Sequence, residues 1–339
     1  MIRRKFCLFM AWLGVERKQT TCKTGRRKSS VRSYTAFARQ QIRAARQREA
    51  FCTARNYLTA LNSFTVFCRT EEITFPMVTA QRMEDYQAWL RHQGICLNTI
   101  SCYMRSLRAV YNKGKRQCDS RRGDPFAKVF TGNAVTQKRA LDKATVDRLR
   151  TASPERGSRQ RTAQQLFLFS LYAMGMAFAD MAYLRMDDIK GGCIIYRRKK
   201  TGQTICIKIE PCMQTVIDEL HQEGSTMVFP LLDSDRPHAM HRQYQAALKQ
   251  HNRQLKAVAR EAGITENITS YMARHTWATL AHERNIPIAV ISKAMGHTSE
   301  RTTRIYIAEL NSEIVHTANK EITDWIMDAP LAKRRTLYC

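Results

Sequence analysis

Apolar residues recur at helical spacing through the first third of the chain. Leu58, Leu61, Phe64 and Phe67 form one stripe, Met83, Tyr86 and Leu90 a second, and Ile100, Tyr103, Leu107, Val110 and Tyr111 a third. Positions three and four apart share one helix face, so each stripe predicts a helix packed on its neighbours. Asn98, followed by Thr99, is placed to cap the third. Arg122-Gly123-Asp124-Pro125 and the polar stretch from Thr131 to Gln137 break the pattern. Asp142 then caps a helix carrying Val146 and Leu149. Leu166 to Leu184 is almost continuously apolar, which predicts one or two buried core helices. The period changes at Cys193-Ile194-Ile195-Tyr196 and at Thr204 to Ile209. These two β-rich runs flank Arg197-Arg198-Lys199-Lys200-Thr201-Gly202-Gln203, a hairpin with a positive tip. From about 240 the pattern is helical again, and the expected fold is mainly α with a small antiparallel sheet.

The breaks divide the chain. Residues 1–30 read as a flexible basic N-terminal arm ending in Lys23, Arg26, Arg27 and Lys28. A helical domain is expected over 31–130, a linker over 131–140, a second domain over 141–320 and a tail over 321–339. A chain of 339 residues is long enough for two cores.

Charge narrows the partners. Lys and Arg total 56 and Asp and Glu 29, a net charge of +27. That excess points to a polyanion, nucleic acid before membrane surface. A hydrophobic content of 44% argues against disorder as its cause. Arg105, Arg108, Lys113, Lys115 and Arg116 lie between the apolar positions of the third stripe. Such a face can grip phosphate, and it is also what the solvated side of any bundle looks like. The eleven cysteines include no Cys-x-x-Cys, which reads as reduced thiols in the cytoplasm and no zinc site. Phe6 to Val15, after Arg3, Arg4 and Lys5, has the outline of a signal peptide but lacks a small-residue cleavage site. Leu166 to Leu184 approaches the roughly 20 residues that span a bilayer, but Gly175 and Asp180 interrupt it. No membrane partner is expected. Neither a P-loop nor a carboxylate cluster is present, so no cofactor and no metal are expected.

The second half also carries candidate chemistry. Ala273-Arg274-His275-Thr276-Trp277 is followed by Gly296-His297 and, nine residues after His297, by Tyr306. Phosphodiester cleavage needs a nucleophile, a proton for the leaving oxygen and donors for the non-bridging oxygens, and this series offers each. It resembles the tyrosine recombinase (phage integrase) family over roughly residues 35–320. The resemblance implies a helical SAM-like core-binding domain and a mixed α/β catalytic domain, closing as a C-shaped clamp on DNA. It implies a site-specific recombinase that breaks and rejoins strands through a 3′-phosphotyrosine. Its partner would be double-stranded DNA with paired recombination sites, bound by a homo-tetramer associated with the nucleoid. DNA-bending accessory proteins are compatible with it. The segment Ile322 to Asp328 would dock in a neighbouring protomer or pack on its own domain.

Residue by residue, the resemblance makes Tyr306 the nucleophile, Arg274 a phosphate clamp and His297 a hydrogen-bond donor to the scissile phosphate. Lys200 matches the general acid, with Lys199 the adjacent alternative, and His275 reads as structural. Tyr271 stands where the family places its first histidine. Arg198 and Lys199 on the hairpin tip, with Arg105 and Arg108, are expected to contact DNA. The family helix Gly-Leu-Arg-x-x-Glu-Leu reads Gly175-Met176-Ala177-Phe178-Ala179-Asp180-Met181 here. Ala177 therefore replaces the first arginine, while Asp180 keeps the acid, and no arginine lies between Leu166 and Leu184. Loss of one preorganised donor costs on the order of 10²–10³ in rate. Either Arg185, Arg197 or Arg198 fills the slot, or the chain is a slow or inactive DNA-binding relative with an accessory role. A type IB topoisomerase-like relaxing enzyme shares the chemistry without paired sites. RNA binding fits least, because no aromatic RNP-like strand is present.

Overall fold

The computed structural model describes residues 33–115, 123–134 and 140–304, with 320, 322 and 323. The basic arm, the Phe6 to Val15 run, Tyr306 and most of the Ile322 to Asp328 segment lie outside the described residues. The chain divides into two compact units, one up to Ala134 and one from Val135.

Among the described residues, four α-helices build the first unit: α1 (Tyr34–Gln47), α2 (Phe51–Cys68), α3 (Ala80–His92) and α4 (Leu97–Lys115). Ser33 opens α1 by accepting a hydrogen bond from Ala36 N–H at 3.1 Å. The apolar stripes converge on one core. Leu61, Phe64, Met83, Tyr86, Leu90, Ile100, Leu107, Val110 and Tyr111 are all buried, while Leu58, Phe67 and Tyr103 pack at its margin. Two buried hydroxyls find partners inside it: Tyr34 donates to Leu107 O at 3.0 Å and Tyr86 to Ser63 Oγ at 2.7 Å. Asn98 is not a cap. The helix begins one residue earlier, and the Asn98 amide donates to Ala134 O and accepts from Ala134 N–H, fastening the end of the unit to α4.

The second unit begins with α5 (Lys143–Thr151), capped by Asp142 as its sequence predicts, with a 2.7 Å bond from Thr145 N–H. The long apolar run is two buried helices, α6 (Arg159–Tyr172) and α7 (Phe178–Ala182). All positions of α6 from Ala163 to Leu171 are buried, because it packs on helices to every side. No described helix is long and apolar enough to cross a membrane. Between α6 and α7 the chain turns through Met174 and Gly175, both at positive φ. Ser170 closes the turn, its hydroxyl donating to Met176 O at 2.6 Å.

Strands β1 (Ile189–Lys190), β2 (Cys193–Arg197) and β3 (Thr204–Lys208) form one antiparallel sheet in that order. Ile194 pairs with Ile207 and Tyr196 with Ile205, so those four side chains share the buried face. The expected strand through Ile209 stops at Lys208; Ile209 N–H instead bonds Gly192 O. Helices α8 (Pro211–Leu220), α9 (Pro237–Glu261), α10 (Met272–Glu283), α11 (Ile288–Ala294) and α12 (Glu300–Arg304) complete the described chain. Thr276 of α10 is fully buried and accepts Leu141 N–H at 3.0 Å, which ties the start of the unit to this helix.

His251 of α9 is buried against Phe178, ring centroids 4.7 Å apart, with no hydrogen bond at either nitrogen. Burial pushes its pKa down to about 4. The folded state therefore binds the proton more weakly than the unfolded chain, whose histidine titrates near 6.5. The neutral ring's contribution is fully present above pH 6.5 and is lost as pH falls toward 4. At pH 5 the loss is about 2 kcal/mol. We expect His251→Phe to be as stable as wild type or more so at pH 7, and to lose less stability between pH 7 and 5. Denaturant midpoints at both pH values check this; equal pH slopes in the two proteins would count against it.

Candidate active site

Arg274 lies on the first turn of α10 and is 2% exposed. A guanidinium keeps its charge, so burial obliges it to find acceptors. Its Nη1 donates to Gly175 O at 2.8 Å, and its Nη2 to Met295 O at the end of α11. The first bond requires a close approach. A Cβ on Gly175 would lie 2.8 Å from Arg274 Cα, and Gly175 has φ +68°.

Nη2 also faces His297 Nε2 at 3.0 Å. His297 follows Gly296, which stops α11 in the left-handed conformation at φ +60°. The ring's other nitrogen, Nδ1, lies 2.8 Å from Thr303 Oγ1 in α12. Arginine can only donate, so Nε2 is the acceptor and the proton sits on Nδ1, directed at Thr303. Burial pushes the His297 pKa down to about 4, with Arg274, Arg198 and Lys200 acting in the same direction. The imidazole is therefore neutral among cations at pH 7. Thr303 is fully buried, and only the fold brings it to the ring.

Asp180 of α7 is 5% exposed. Its Oδ1 accepts Lys199 N–H at 2.9 Å, and its Oδ2 lies 3.8 Å from Arg198 Nε. Burial pushes its carboxyl above the usual range, against the opposing pull of that N–H and of Arg198, Arg274 and Lys199.

The hairpin residues separate. Lys199 Nζ sits 3.6 Å from the Tyr183 ring centroid, a cation–π contact. Lys200 is exposed on the turn, and its charge reaches His297. Arg198, expected at a solvent-facing tip, turns inward. It is 5% exposed and donates from Nη1 to Gly296 O at 2.8 Å. Arg197 bonds Gly202 O within the turn, and Arg185 faces Asp235 at 3.9 Å. Tyr271 precedes α10 and is 49% exposed, its ring edge-on to His275 at 5.1 Å. In the first unit Arg105 is exposed, whereas Arg108 forms an ion pair with Asp124. Arg274, His297, Asp180, Arg198 and the Lys199–Lys200 turn are thus gathered in one place. Tyr306 lies two residues beyond the last residue of α12, outside the described residues.

Two family models match the chain, the phage integrase family over residues 139–313 and the phage integrase SAM-like domain over 33–128. Among curated proteins it is similar to the tyrosine recombinase XerA of Pyrococcus furiosus, 27% identical over 232 residues, covering 67% of this chain and 76% of that one. It is also similar to the tyrosine recombinase XerD of Listeria innocua, 24% identical over 264 residues, covering 75% and 86%. Among solved structures, a lambda integrase dimer bound to a core site aligns with a TM-score of 0.61 at 13% identity, covering 81% of this chain and 95% of that one. The Tn1549 transposon integrase in complex with transposon right end DNA aligns with a TM-score of 0.59 at 14% identity, covering 86% and 99%. These structures share the fold.

The tautomer is directly measurable. Nitrogen-15 NMR of the DNA-free protein should find His297 neutral at pH 6 with its proton on Nδ1. A charged ring, or a proton on Nε2, would break the assignment of Arg274 as donor to it.

Proposed function

The chain belongs to the phage integrase family of tyrosine recombinases, site-specific enzymes that cleave and rejoin DNA, and we propose that its second unit does so through Tyr306. The Tyr306 hydroxyl gives up its proton to solvent as its oxygen attacks the scissile phosphorus. The P–O5′ bond breaks, and the 3′ end is left as a phosphotyrosine ester. Lys200 supplies the proton that the leaving 5′-oxygen takes up. Rejoining reverses the step, with a 5′-hydroxyl attacking the ester. The phosphoester is conserved throughout, so neither a nucleotide nor a metal enters the balance.

One observation carries the assignment. The family match spans Tyr306, and within it the geometry holds Arg274 and His297 3.0 Å apart in a buried cationic pocket. A fork-shaped guanidinium there can grip two phosphate oxygens. Phosphate binding to Arg274 frees His297 to bond the same anion. Lys200 fits the acid role better than Lys199, because Lys199 lies over the Tyr183 ring while the charge of Lys200 reaches His297. Tyr271 sits at the head of the Arg274 helix, where its hydroxyl can bond a phosphate oxygen.

In this reading 31–130 is the core-binding domain, 131–140 the linker and 141–320 the catalytic domain. Arg105 contacts the DNA backbone, and Arg108 does so to the extent that Asp124 leaves it free. Four protomers act on two sites in the cytoplasm, with the 321–339 tail linking neighbours and the 1–30 arm adding contacts. The +27 charge supports a DNA partner.

A nicked suicide duplex built on repeats flanking the gene tests the chemistry. Wild type should form a covalent adduct on a denaturing gel; Tyr306→Phe should form none yet bind the duplex with unchanged affinity. An adduct with Tyr306→Phe would remove that residue from its role. Lys200→Ala should lose cleavage of the ordinary phosphodiester and regain it on a 5′-bridging phosphorothiolate, whose leaving group needs no proton. Failure of that rescue with binding intact would exclude Lys200 as the acid.

A further inference from the structure

We propose that Arg198, delivered by the β2–β3 hairpin, is the second phosphate-binding guanidinium of the site and replaces the charge that Ala177 lacks. The proposal rests on the recombinase reading above.

Ala177 sits at the start of α7 and brings no charge, yet Asp180, three residues later, is still buried there. A buried carboxylate needs a cation or hydrogen-bond donors. Both come from the hairpin: the Lys199 N–H at 2.9 Å and Arg198 Nε at 3.8 Å. The acid therefore buttresses an arginine from a different element.

The backbone acceptors repeat the arrangement. Arg274 donates to Met295 O and Arg198 to Gly296 O, consecutive carbonyls directly before His297. The two guanidiniums flank one histidine, and both weaken its hold on a proton. Arg198 is also underused. Among the described residues its guanidinium makes one hydrogen bond, to Gly296 O, and its buried Nε makes none, lying only at ion-pair distance from Asp180. A guanidinium carries five donors, and a buried one so sparsely bonded fits an anion. Gly296 provides the room: a Cβ there would lie 3.2 Å from Arg198 Cδ and 2.6 Å from Ile205 Cδ1. Arg185 and Arg197, the other arginines near in sequence, are directed to Asp235 and Gly202.

The rival role for Arg198 is a strut that only neutralises Asp180. A methylphosphonate at the scissile position separates the two. It replaces one non-bridging oxygen by methyl and removes the anionic charge, while Tyr306 attack and P–O5′ cleavage proceed as before. Full-length wild type, Arg198→Ala, Arg198→Lys and the double variant Ala177→Arg/Arg198→Ala would be compared on nicked suicide duplexes of both kinds, with melting and DNA binding recorded. On phosphate, Arg198→Ala should form adduct on the order of 10²–10³ more slowly. On methylphosphonate its deficit should shrink to within a few-fold. Arg198→Lys keeps a cation beside Asp180 and should fold, so it carries the test if the alanine variant does not; it too should be deficient on phosphate alone. The double variant should recover at least part of the lost rate. Wild-type rates in Arg198→Ala, or an equal deficit on both substrates in the folded variants, would overturn the assignment and leave the recombinase reading standing. No adduct from wild type on either substrate, with binding intact, would overturn both.

Discussion

The second unit is organised around one buried charge that cannot be given up. Arg274 stays protonated at 2% exposure, and two backbone carbonyls from distant segments make that tolerable: Gly175 O between α6 and α7, and Met295 O at the end of α11. Removing acceptors from a buried cation costs several kcal/mol. The turn at Gly175 and the stop of α11 are therefore fixed relative to α10 by the same group that faces the proposed phosphate. Stability and the proposed grip on phosphate share one side chain. Its packing leaves no space for a Cβ on Gly175.

Electrostatics around that charge are asymmetric. Asp180 is the buried carboxylate, set against Arg198 and Arg274, with Lys199 and Lys200 at the edge. His297 responds by staying neutral and accepting from Arg274. A phosphate oxygen that takes Nη2 would release Nε2, and its negative charge would raise the proton affinity of the ring. The same histidine can thus be an acceptor before the anion arrives and a donor afterwards.

What could be read from the sequence follows from the range of the forces involved. The helical stripes were legible because burial imposes a period: Leu61, Phe64, Met83, Tyr86, Ile100 and Leu107 are all interior. The Asp142 cap was legible because its partner, Thr145 N–H, is three residues away. Asn98 misleads for the opposite reason, its partner Ala134 being 36 residues on. Arg198 reads as an exposed tip because nothing local shows that Gly296 and Asp180 face it. Thr303 carries no local signal at all. Motif and offset single out Arg274 and His297, but name neither the carbonyls that hold Arg274 nor the Thr303 hydroxyl beside His297.

The hairpin turn is pinned on both sides of Lys200. Before it, Arg198 is fastened to Gly296 O and Lys199 N–H to Asp180; after it, the Thr201 hydroxyl donates to the same Gly296 O at 3.3 Å. Lys200 therefore works on a short leash: with its backbone held on either side, only the torsions of its own side chain move the ammonium, and the circle it can sweep is one lysine side chain in radius about a fixed Cα.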